Sequence, residues 1–146
     1  MKTFSTIIAI FALVVAVSIA QAADKKHLGG PKGGRLLEKT EPKAEFFVEK
    51  DHTVAIAFYE NSLKPVPATN QSVTVIAEKG DKTKLEFEKK GDVLVSKSKL
   101  PEGDGYNVVV QFKQTPDSKP QNYRFVLDTG TCDGCKRAEY ACTCDE

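Results

Sequence analysis

Cys132, Cys135, Cys142 and Cys144 all fall within the last fifteen of 146 residues, and the rest of the chain has no cysteine. Cys132-Asp133-Gly134-Cys135 is a C-x2-C pair, and Cys142-Thr143-Cys144 is a C-x-C pair six residues further on. A C-x2-C with a small residue in its turn lets two thiolates reach one ion while backbone amides point at the sulfurs, which is half of a tetrahedral S4 site. The C-x-C half is less usual in structural zinc sites. Such a donor set selects soft or borderline ions, zinc or copper(I). Two other chemistries fit the same residues. Four cysteines allow three disulfide pairings, and spacing does not choose among them; Cys132 to Cys144 with Cys135 to Cys142 would close a compact hairpin. A thiol-disulfide redox protein is the third reading, disfavoured because a reactive C-x-x-C needs a helix N-terminus in a βαβ context to lower its pKa.

Other constellations are weaker. His27 and His52 stand alone, each without a companion ligand or base, and read as exposed polar residues. Gly29 and Gly34 have the separation of a phosphate loop, but Arg35-Leu36 occupies the place where Lys followed by Ser or Thr is needed. The carboxylates scatter along expected solvent faces, and no Ser, His and Asp set stands at motif positions, so the chain reads as non-enzymatic, with no catalytic residue and no cofactor other than the metal ion. Asn70-Gln71-Ser72 is a glycosylation sequon. Charges alternate in sign and the whole chain carries a formal net charge of +1, which excludes a nucleic-acid partner.

The segments that must present the cysteines follow from composition and period. Residues 1–22 have the three parts of a signal peptide: Lys2, an apolar run from Ile7 to Ile19, and the small-x-small site Ala20-Gln21-Ala22. The apolar run is too short for a bilayer span of about 20 residues, so no membrane span is expected after cleavage. A periplasmic or secreted location follows, one that permits disulfides. Residues 23–34, rich in Gly and Lys, read as a flexible lead, with Lys25, Lys26, Lys32 and Arg35 as a solvated basic cluster.

Residues 35–128 alternate with period two: Ala44, Phe46, Val48; Val54, Ile56, Phe58; Val73, Val75; Leu85, Phe87; Val93, Val95; Tyr106 to Phe112; Tyr123 to Leu127. Turn signals at Gly80-Asp81, Gly91-Asp92 and Gly103-Asp104-Gly105 recur at the spacing of an all-β body. With one apolar face per strand, the expected fold is an antiparallel, Ig-like β-sandwich of seven to eight strands. Residues 129–146 form a Cys-rich tail, read as separate from a core that folds without it.

His27-Leu28-Gly29-Gly30, Gly33-Gly34-Arg35-Leu36-Leu37, Glu45-Phe46-Phe47-Val48 and Leu63-Lys64-Pro65-Val66 resemble a group of small bacterial periplasmic β-sandwich proteins, some similar to heavy-metal-efflux modules. The resemblance covers about residues 23–128 and implies a binding or accessory role in the envelope. The chain departs from a copper carrier in having two His and, beyond Met1, no Met. The expectation is therefore an exported, non-enzymatic envelope protein whose cysteine tail binds a soft or borderline metal ion, while the sandwich presents the tail or docks an envelope protein. The alternative is a structural or interaction module with a disulfide-locked tail.

Overall fold

The computed structural model describes residues 29–144; the expected signal peptide and His27 lie outside the described residues. Among the described residues nine strands form: β1 (Arg35–Leu37), β2 (Lys43–Val48), β3 (Val54–Tyr59), β4 (Pro65–Val66), β5 (Ser72–Lys79), β6 (Asp81–Lys90), β7 (Val93–Ser96), β8 (Tyr106–Lys113) and β9 (Gln121–Leu127). Every alternating segment of the sequence is a strand. The count exceeds the expected seven to eight because β1 and β4, three and two residues long, are too short to show a period.

Pairing is antiparallel throughout, in the order β1-β2-β3-β7-β6-β5-β8-β9, with β4 on β3. Strand β6 joins two layers: Asp81 in it faces Lys79 and Glu86 faces Thr74 of β5, whereas Phe87 to Lys90 pair with β7. Gly80 and Gly91, at positive φ, turn the hairpins at its two ends. The sheet thus curls until β1 and β9 approach, giving a nearly barrel-shaped body.

Among the described residues no ladder joins β1 to β9; side chains seal that seam. The Arg35 guanidinium lies over the Phe125 ring at 4.7 Å, Phe46 meets Phe125 edge-on at 5.2 Å, and the Tyr123 hydroxyl donates to the Glu38 carbonyl. Burial in this seam holds the Arg35 pKa below its usual value.

Strand β8 keeps strict alternation, with Tyr106, Val108, Val110 and Phe112 buried. Strand β3 does not: all six of its residues are buried. Its inward face joins the main core through Val54, Ile56 and Phe58, and its outward face packs Ala57 and Tyr59 with Leu36 in a second cluster. The expectation of one apolar face per strand fails here because Leu36 of β1 and Val93 of β7 pack on the outside and Tyr59 bonds to Glu45 there.

Glu45 also departs from the reading that the carboxylates lie on solvent faces. It is fully buried on β2. The Gly34 N–H donates to its Oε1 at 2.7 Å, and the Lys32 N–H and the Tyr59 hydroxyl donate to Oε2 at 3.2 and 2.7 Å. This is how a buried carboxylate is tolerated: its lone pairs are occupied by donors fixed in place. Gly30 must be glycine, since a Cβ there would fall inside the Glu45 carboxyl group. The carboxylate and burial together push the Tyr59 phenol well above its ordinary range, burial being the larger cause.

Candidate metal centre

The tail leaves β9 through Thr129-Gly130, where Asp104 accepts from the Thr129 N–H at 2.6 Å and Asp128 accepts from the Gly130 N–H at 2.8 Å. It then folds back on itself: Thr131 bridges Ala138, the Cys132 N–H donates to the Arg137 carbonyl at 2.7 Å, and the Lys136 N–H donates to the Cys132 carbonyl at 2.9 Å. Lys136 takes φ +60° to make this turn, directly after Cys135. A short 3-10 turn, Glu139–Ala141, returns the chain and delivers Cys142 and Cys144 beside the first pair.

All four cysteines singled out in the sequence come together. Their sulfurs lie within 4.8 Å of one another, with Cys132 3.1 Å from Cys142 and 3.7 Å from Cys144, and Cys135 3.7 Å from Cys142. A tetrahedral ion with Zn–S bonds of about 2.3 Å sets its sulfurs about 3.8 Å apart. A disulfide needs about 2.0 Å, and no pair is that close; all four are free thiols. The donor set and its spacing therefore fit a four-coordinate ion.

Backbone amides support the sulfurs. The N–H groups of Thr143 and Arg137 aim at Cys135 Sγ and hold its thiol down at about 6. The Cys144 N–H lies 3.4 Å from Cys142 Sγ. Cys144 is pushed up to about 12 through its hydrogen bonds with Cys132 and Cys135, and Cys142 is raised chiefly by its bond with Cys132, the opposite direction to Cys135. Gly134 lets the loops close: a Cβ there would stand 2.5 Å from Cys144 Sγ. The Cys132 side of the cluster is buried and the other three cysteines are half-buried.

Two residues outside the cysteine pattern fix the cluster to the body. Tyr140 and Ala141 belong to the main hydrophobic core, so the tail is not separate from that core. The Tyr140 ring meets Phe46 edge-on at 5.8 Å and stacks on Phe125 at 6.3 Å, and its oxygen accepts from the Val48 N–H at 3.0 Å. Arg137 reaches the other way: its Nη1 donates to the Gly30 carbonyl at 3.0 Å, and its guanidinium lies against Gly29. Aromatic Tyr140 between two cysteine pairs was the available sequence signal, since a solvated metal loop has no need of a large ring.

His52 is exposed in the β2–β3 turn, at φ +66°, and is not one of the clustered metal-ligating side chains. Asn70 is exposed in the loop before β5. No helix among the described residues is long and apolar enough to cross a membrane. No family model, curated protein or solved structure matches the chain.

Proposed function

We propose that this is an exported, non-enzymatic envelope protein whose C-terminal cysteines bind one soft or borderline metal ion, and that the ion clasps the tail across the open seam of an Ig-like β-body. One observation carries the reading: four sulfurs within 4.8 Å of one another, on two loops that approach closely because Gly134 has no side chain. Four thiolates in tetrahedral array favour zinc, with copper(I) the other ion of matching softness. The role is structural and presentational, because all four ligands come from the protein and a closed S4 shell leaves no position for a substrate. The leader in the sequence and the resemblance to periplasmic β-sandwich proteins support the envelope setting and a partner there.

The test is the intact mass of protein purified from its own compartment, measured under native conditions and again after unfolding with alkylation. One ion per chain and four alkylated thiols are expected. Two disulfides with no ion would overturn the metal reading and return the tail to a disulfide-locked interaction module.

A further inference from the structure

Beside the sulfur cluster, three chain segments that are far apart in sequence enclose an open groove of about 460 Å³. The lead gives it Lys32, the β2–β3 turn gives Lys50, and the tail gives Lys136 and Arg137; the one carboxylate in the lining is Glu49, and Asp133 stands 3.9 Å from the Lys136 ammonium. This concentration is local, since the whole chain carries a formal net charge of only +1. The floor is aromatic and apolar, formed by Phe47, Val48, Ala138 and Tyr140, and the Lys32 ammonium stands 5.9 Å from the Phe47 ring centroid.

The groove also contains a buried donor without a partner. Tyr140 is 4% exposed, and its oxygen accepts from Val48, yet among the described residues its own hydroxyl proton has no acceptor. In an open groove water can serve such a hydroxyl, and an entering acceptor can take the water's place. An acceptor that also carries negative charge would meet the surrounding cations.

We propose that this groove binds an acidic peptide segment of a partner protein, a side-chain carboxylate accepting from the Tyr140 hydroxyl while flanking carboxylates meet Lys32, Lys50, Lys136 and Arg137. Its open shape suits an extended chain, and cations contributed by three segments give register along it. The groove needs the tail docked, by whatever means the cysteines hold it, so the inference does not rest on the metal reading.

The experiment titrates hexaglutamate peptide into the purified full-length mature protein by calorimetry, at about 20 mM and about 150 mM salt, one to either side of the regime where the screening length is about 10 Å. Saturable one-to-one binding that weakens with salt is expected. The Lys32→Glu/Lys50→Glu variant, whose exposed side chains lie off the core, should bind about tenfold more weakly. Tyr140→Phe, which keeps the ring, should lose about threefold to tenfold. The Lys84→Glu/Lys89→Glu variant, altered on β6 outside the groove, should match the parent within about twofold. Absence of hexaglutamate binding at the lower salt, an equal loss in the β6 variant, or equally tight binding of hexalysine would each overturn the proposal. Should Tyr140→Phe fold poorly, the two lysine variants still decide it.

Discussion

Two polar clasps hold the ends of the described chain onto one β-body, and they are built on opposite principles. At the lead, Glu45 is wrapped by donors that the protein itself supplies, and its site is complete with Gly34, Lys32 and Tyr59 in place. At the tail, four sulfurs lie together on a half-exposed surface, with the Thr143 and Arg137 N–H groups aimed at Cys135 and the Cys144 N–H at Cys142, an arrangement that could hold an ion. A carboxylate can be satisfied by neutral N–H and O–H groups, whereas four clustered cysteines can all be thiolates only around a cation. The two clasps touch through Arg137 and Gly30, yet each has its own reporter: the Val48 N–H is bonded to Tyr140, and the Gly34 N–H is bonded to Glu45.

The largest effect is expected from Tyr140→Ala. Removing a fully packed aromatic ring from between Phe46 and Phe125 should cost about 3–5 kcal/mol of stability in chemical denaturation. Hydrogen exchange should quicken at Val48 well before Gly34 is affected. Equal quickening at both would break the comparison, showing one cooperative unit in place of two clasps.

Glu45→Ala comes next. It strands the N–H groups of Gly34 and Lys32 and the Tyr59 hydroxyl in a buried site, at about 3 kcal/mol in total, since each lost partner costs about 1–3 kcal/mol and the lead can relax toward water. Here the Gly34 N–H should exchange first, and the metal binding proposed for the tail should be unchanged. Loss of the ion in this variant would show that the lead supports the sulfur centre through Arg137, sharpening the link between the clasps.

The two clasps were unequally legible in the sequence. Cysteine type and spacing mark the tail directly, because few side chains do what Cys132, Cys135, Cys142 and Cys144 do together, and period two marks β2, β3 and β5 to β9. Glu45 was placed on the correct outward face of β2 by alternation, but alternation treats that face as solvated. What covers it is a Gly-rich stretch whose backbone N–H groups do the binding, and backbone donors leave no mark in side-chain chemistry. The glycines read as signs of flexibility because the same residue serves both for freedom and for close approach; only the neighbour, here the Glu45 carboxylate at Gly30, distinguishes the two. Tyr140 is hard to read from sequence for a related reason. A single aromatic residue in a short tail has no period, and its partners Phe46 and Phe125 come from strands far away in the chain. The two strands beyond the periodic seven, β1 and β4, are held by register with β2 and β3 rather than by a pattern of their own.

The smallest effect tests whether the tail clasp is organised before an ion binds. In reduced, metal-free protein, the Thr143 and Arg137 N–H groups bring the Cys135 thiol down from the ordinary 9.0 to about 6, while hydrogen bonds to Cys132 and Cys135 push Cys144 up to about 12. At pH 7, then, iodoacetamide should modify Cys135 first and Cys144 last, with the Cys135 rate rising through a midpoint near pH 6, read by peptide mass spectrometry. The sign for docking follows from the same shift. A thiol whose folded pKa is depressed contributes stability that is fully present above the unfolded value of 9.0 and is lost as pH falls toward 6, so the Cys135 contribution to holding the tail down declines across that window. Cys142 and Cys144, raised, act in the opposite sense: their contribution is present below 9.0 and declines as pH climbs above it. The Val48 N–H, which reads the tail, should follow this profile, and the Gly34 N–H, bonded to Glu45, should not. A Cys135 alkylation midpoint near 9 would mean that the N–H groups turn toward sulfur only once an ion has drawn the thiolates together, and the tail would then be a loop assembled by its metal.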